Sequence, residues 1–120
     1  MALIDYFDRG ASHFPDRDCL VDAEITLSYR AAAAATHQIA ERLVACGIAP
    51  GDRVATLSQN TALGFLAILG LLRADAVWVP LNARGVLDEH VHLLGLMHCA
   101  ALFYERQFAP VVARILTTAA

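Results

Sequence analysis

The amino-acid sequence predicts an α/β fold with a mainly parallel sheet flanked by helices. Two observations carry that prediction. From about residue 25 onward, short β-rich runs alternate with longer runs of helical period, the mark of strands joined by crossover helices. Turn-forming residues separate the runs, and at 120 residues and 12.9 kDa the chain builds one domain at most.

Each element has a local reason. An opening helix is expected over Leu3 to His13, halted by Phe14-Pro15-Asp16. Cys19 to Asp22 and Ile25 to Ser28 read as two short strands of a hairpin around Ala23-Glu24. Ser28 is placed to cap the next helix, whose face Ala32, Ala35, Ile39, Leu43 and Cys46 keeps helical spacing until Gly47 ends it. Pro50-Gly51-Asp52 is a turn into a central strand, Arg53 to Leu57. Asn60 or Thr61 then caps a helix from Ala62 to Arg73 that is apolar almost all round and so needs cover on more than one side. Val77 to Val79 is a strand stopped by Pro80, with Trp78 in its core. A helix from Leu87 to Met97 starts with Asp88 and Glu89 against the positive end of its dipole. Ala100 to Tyr104 is the last strand and Phe108 to Leu116 the last helix.

Composition excludes several kinds of chemistry. All nine basic residues are Arg, so there is no lysine for a Walker-type phosphate loop or a Schiff base. The Arg residues are scattered singly through a chain of net charge -3, which offers nucleic acid no basic stripe. Apolar residues make up 58% and mean hydropathy is +0.50, more apolar surface than so small a body normally buries. The longest apolar run, Ala62 to Leu72, is far short of the roughly 20 residues of a membrane span. The N-terminus lacks the uninterrupted apolar stretch of a secretory signal, so a cytoplasmic location is expected. Cys19, Cys46 and Cys99 form no Cys-x-x-Cys and are expected to be buried free thiols.

Three stretches stand out as motifs: Leu27-Ser28-Tyr29-Arg30, then Gly47-Ile48-Ala49-Pro50-Gly51-Asp52-Arg53-Val54-Ala55, then Leu71 to Asn82, Leu-Leu-Arg-Ala-Asp-Ala-Val-Trp-Val-Pro-Leu-Asn. Their order and approximate spacing resemble the start of the AMP-forming adenylating enzymes, the acyl-CoA synthetases and their relatives, and the likeness spans essentially the whole chain. Two departures are visible. The family usually has an acid three positions after the capping Ser or Thr, where this chain has Ala31, so one half of a capping box is missing. It usually has Gly where this chain has Asp75, a position that would call for positive φ.

The resemblance implies the N-terminal portion of an adenylate-forming enzyme, residues 1–120 being a segment of the AMP-binding domain with the catalytic parts elsewhere. Such enzymes are ATP-dependent ligases that join a carboxylic acid, here most simply a fatty acid, to AMP and then pass the acyl group to a thiol, usually coenzyme A. Their phosphate-loop lysine, the acid near Mg, the Asp at the ribose and the lysine of the mobile C-terminal domain have no counterparts in this sequence. No catalytic, cofactor-binding or metal-ligating residue is therefore carried over, and ATP, Mg and coenzyme A are implied for the family only. The expected role is a scaffold, inactive alone, whose excess apolar surface meets the remainder of the enzyme or a second copy. The alternative is a stand-alone α/β interaction module that kept the scaffold and lost the chemistry.

Other residues that bear chemistry have structural readings. His90, His92, His98 and Cys99 are metal-ligand types, but His90 and His92 are two apart and point to different sides of a helix. Asp88 and His92, four apart, are expected to make a surface pair. Ser58-Gln59-Asn60 follows the carboxyl end of a central strand, where open α/β sheets bind ligands; helix capping is the expected role.

Overall fold

The computed structural model describes residues 2–119. Helix α1 (Leu3–His13) precedes a hairpin of β1 (Asp18–Val21) and β2 (Thr26–Ser28), and α2 (Tyr29–Ala45) leads to the central strand β3 (Arg53–Leu57). After it come α3 (Ala62–Arg73), β4 (Val77–Pro80), α4 (Leu87–Leu96), β5 (Ala101–Tyr104), a 3-10 turn (Arg106–Phe108) and α5 (Ala109–Ala119). Strands β4, β3 and β5 form a parallel sheet in that order, while β1 and β2 pair antiparallel in a separate ribbon. The α/β class and the parallel sheet are as the sequence predicts.

Alternation along β3 splits the interior into two cores. Val54 faces Leu43, Ile48, Leu71 and Ala76, which belong to α2, α3 and the turns behind them. Ala55 and Leu57 face the other way, onto Val79, Leu81 and Val112, with Leu93 and Leu94 of α4 and its capping residue Met97 packed around them. A parallel sheet covered by helices on both faces explains why β3 is apolar at successive positions. Pro80 is tolerated because β4 is an edge strand and Pro80 its last residue, Leu81 N–H resuming the ladder to the Thr56 carbonyl at 2.9 Å.

The recognisable motifs turn out to be helix ends. Three helices close in the same way, with the residue after the cap in a left-handed conformation and the next N–H reaching back five residues. At α2 the pivot is Gly47 (φ 95°), with Ile48 N–H bonded to the Leu43 carbonyl. At α3 it is Asp75 (φ 59°), with Ala76 bonded to Leu71, and at α4 it is His98 (φ 50°), with Cys99 bonded to Leu94. In each case the two residues so joined share a core, the apolar contact that accompanies this closure. Gly51 (φ 87°) makes the following turn, where Asp52 accepts Ala49 N–H at 2.8 Å and Gly51 N–H reaches the Asp75 carbonyl at 2.9 Å.

Asp75 thus occupies a position that suits Gly, and Asp75→Gly is expected to stabilise the fold by about 0.5 to 1 kcal/mol by removing the side-chain penalty at positive φ. A higher denaturation midpoint at unchanged slope is the expected reading. A lower midpoint would mean that residue 75 is not left-handed in solution.

Several expectations need correction. Trp78 is not core: it lies on the edge strand, 40% exposed. Cys46, placed on the inner face of α2, is exposed, and Cys19 and Cys99 are only half-buried; Ala32 and Thr36 are the residues that α2 buries completely. Of the two candidates for the α3 cap, Thr61 is the one used, as its Oγ1 accepts Gly64 N–H at 3.0 Å. Asp88 and His92 form no pair, the ion pairs among the described residues being Arg30–Asp16 and Arg73–Asp8. Ser28 caps α2 through Ala31 N–H at 3.1 Å without a reciprocal acid, and the Arg17 and Pro15 carbonyls take up Tyr29 and Arg30 N–H instead. The last helix begins one residue later than expected, after its own 3-10 turn, and runs to Ala119. The expectation that α3 needs more than one cover agrees with the structure: Leu66, Leu69 and Leu71 are buried, whereas Leu63 and Phe65 are exposed. None of the helices among the described residues is long and apolar enough to cross a membrane.

Candidate functional site

An open cleft of about 1100 Å³ lies at the carboxyl ends of β3 and β4. The β1–β2 hairpin forms one wall through Cys19 to Asp22, the loop Ser58 to Thr61 and the start of α3 form the floor, and Trp78 with Pro80 to Arg84 forms the opposite wall. Its place follows from topology: loops leaving the carboxyl ends of parallel strands are where open α/β sheets present side chains to a ligand.

The sheet order makes the β3/β5 boundary the point where chain connections diverge, β3 leading to α3 on one face and β5 to α5 on the other. A carboxylate closes that boundary. Glu105, just after β5, accepts the Ser58 hydroxyl at 3.0 Å and Gln59 N–H at 2.5 Å, and its own N–H is bonded to the Leu57 carbonyl at 3.1 Å. The open space accordingly lies beside it, over β3 and β4. Gly64 keeps the arrangement tight, since a Cβ there would run into Ser58 Oγ and lie 3.1 Å from the Gln59 carbonyl oxygen. Ser58 is therefore a strut that ties its loop to the end of the neighbouring strand β5 and not a helix cap, and no histidine lies among the residues lining the cleft.

On the far wall Trp78 donates its indole N–H to Thr56 Oγ1 at 2.8 Å, which fixes the ring across the face of β3 and satisfies a buried hydroxyl. Trp78 shares the apolar part of the lining with Val21 of the hairpin and Phe65 and Ile68 of α3. The charged residues lining it are Asp22 and Arg84. Asp22 accepts Ala62 N–H at 2.8 Å with one oxygen, and Glu24 and Ile25 N–H at 2.9 and 2.8 Å with the other. Those backbone donors, Ala62 first among them, hold its carboxyl below the ordinary carboxylate range. Burial pushes the Cys19 thiol up, away from the reactive thiolate. The Cys99 thiol, before the start of β5, is also raised by burial, with Arg53 acting against it.

The histidines do not converge: His90 is buried at 3% exposure, His92 is exposed and His98 is the exposed left-handed pivot of α4. Among the described residues no group of three His, Cys, Asp or Glu side chains is arranged to hold a metal ion. Sequence reasoning missed Asp22 and Glu105. Each is the first carboxylate after a strand whose end lies beside a helix N-terminus or a neighbouring strand end, a signal visible only once the strands are placed next to one another.

Comparison with known proteins gives the arrangement a context. The family model described as AMP-binding enzyme matches residues 7–119. A fatty acid–[acyl-carrier-protein] ligase, ScoC of Streptomyces coeruleorubidus, is 33% identical over 105 residues, covering 88% of this chain and 20% of its own. A medium/long-chain-fatty-acid–CoA/3-oxocholest-4-en-26-oate–CoA ligase of Mycobacterium marinum is 29% identical, over 95% of this chain and 21% of its own. Among solved structures, the N-terminal domain of FACL13 from Mycobacterium tuberculosis superposes with a TM-score of 0.91 at 28% identity, over 100% of this chain and 31% of that one. The chain thus spans about a fifth of the length of these curated relatives. The match runs through the hairpin, both cores and the loops of the cleft, and this chain belongs to the AMP-binding enzyme family.

Proposed function

We propose that the chain supplies the N-terminal scaffold of an ATP-dependent, AMP-forming acid–thiol ligase with fatty acids as its acid substrates. The observation that carries this reading is the continuous match from residue 7 to 119 to a family in which the two ligases described above act on fatty acids and are about five times as long as the matched part. The fold supports the scaffold role: the family motifs are spent on helix ends, a turn and an edge strand, and the cleft carries one cation, Arg84, against the several negative charges of a triphosphate. The exposed Leu63, Phe65 and Trp78 form a surface for the remainder of a longer polypeptide, or for a second copy of this chain.

Two measurements test the proposal. On a denaturing gel, an antibody to this segment is expected to reveal an endogenous polypeptide several times 12.9 kDa; a band at that mass would favour the stand-alone module. In addition, the 120-residue chain with ATP, Mg and a panel of fatty acids is expected to release no pyrophosphate, because adenylation requires preorganised positive charge at the phosphates. Turnover above a protein-free control that survives repurification would overturn the inactive-scaffold reading.

A further inference from the structure

We propose that the β1–β2 hairpin is a strap forming one wall of the cleft, and that Asp22 is the positioning residue that fastens it to α3. The two carboxylate oxygens divide the task. Oδ1 accepts Glu24 and Ile25 N–H, which shapes the tip of the hairpin, and Oδ2 crosses to Ala62 N–H, forty positions along the chain. Among the described residues this is the hydrogen bond that joins the hairpin to α3. The other anchors of the ribbon lead to the start of α2, through Tyr29 N–H to the Arg17 carbonyl and Arg30 N–H to the Pro15 carbonyl.

The tip has little else to hold it over the cleft. Val21 is 63% exposed and the ribbon has only two strands, an assembly of marginal stability without support. Ala62 is the first residue of α3 and its N–H has no acceptor within the helix, so the carboxylate satisfies a donor that would otherwise be orphaned in a buried residue. Thr61 caps the same helix through a different donor, Gly64 N–H, so α3 keeps its own start when the strap is released. Release would therefore widen the cleft by moving the hairpin and not by melting α3. The backbone donors that lower the pKa of the Asp22 carboxyl, Ala62 N–H first among them, agree with an ionised clasp at neutral pH.

Asp22→Asn separates the two functions. Its amide has one acceptor oxygen, which can shape an Asx turn, while its NH₂ would face the Ala62 donor. The expected result in hydrogen exchange of the chain is a loss of protection at Ala62 and along residues 18–28 of about tenfold or more, with Val54 to Leu57 unchanged; because Trp78 is the only tryptophan, acrylamide quenching should rise with it. Uniform loss at all amides, or none at Ala62, would overturn the proposal. Should the variant fail to fold, the native chain still decides: Ala62 N–H is expected to exchange much more slowly than that of Leu63, which finds no acceptor among the described residues, and equal rates would mean that the strap is unfastened in solution.

Discussion

Gly70→Ala is expected to destabilise the chain by roughly 2 kcal/mol, although alanine is the better helix former. Gly70 lies where α3 crosses α2, and a Cβ built there would sit 2.6 Å from Ile39 Cβ and closer still to its Cγ2. No rotamer change moves a Cβ, so the helices themselves must separate. Overpacking of this kind costs up to about 3 kcal/mol, and the gain in helix propensity of about 1 kcal/mol offsets part of it. Gly95 is the matched control, in a helix with nothing within 4 Å of a built Cβ; there the same change is expected to stabilise by about 1 kcal/mol. Ile39→Ala removes the Cγ2 contact but leaves the Cβ, so it should rescue Gly70→Ala only in part. Denaturant midpoints for the four variants would settle the matter, and a neutral Gly70→Ala would show that α2 and α3 are packed more loosely than described.

Most of the scaffold was legible in the sequence because its signals are local. The bounds of α1, β3 and α3 follow from caps, turns and apolar period alone, and the positive φ at Asp75 followed from a family position usually held by Gly. His98, in the same geometry at the end of α4, escaped notice because nothing in its neighbourhood marks a helix end as glycine does. The misreadings share a different cause. Trp78 looked like core because its neighbours are apolar, yet only the strand order shows that β4 is an edge. Cys46 kept helical spacing but stands at the C-cap of α2, where it is exposed.

The site was less legible for a stronger reason. Its geometry depends on pairs far apart in the chain: Asp22 with Ala62, Ser58 with Glu105 and Thr56 with Trp78. In each pair the residue types are ordinary and no spacing rule links them. The Ser58-Gln59-Asn60 loop was correctly placed at the carboxyl end of a central strand, but its role as a strut emerges only when β5 brings Glu105 beside it.

Arg73→Ala is expected to cost about 2 to 3 kcal/mol, through bonds that join three helices. The guanidinium grips Asp8 of α1 with two nitrogens, at 2.6 and 3.1 Å, and its Nε donates to Thr36 Oγ1 of α2 at 3.0 Å. Thr36 is fully buried and its hydroxyl donates onward to the Ala33 carbonyl at 2.7 Å, so the three side chains form one satisfied network. The Arg73 side chain is 13% exposed and Asp8 42%, which makes Asp8 the partner that water can recover and Thr36 the one it cannot. Arg73→Lys keeps the charge but lacks the planar fork that serves both partners, and should lose about half as much. Asp8→Asn should cost less than Arg73→Ala because the Thr36 bond survives it. The ordering Arg73→Ala, then Arg73→Lys, then Asp8→Asn in loss of midpoint is the result to look for; an Asp8→Asn loss equal to that of Arg73→Ala would mean that the ion pair alone carries the energy and the buried hydroxyl contributes nothing.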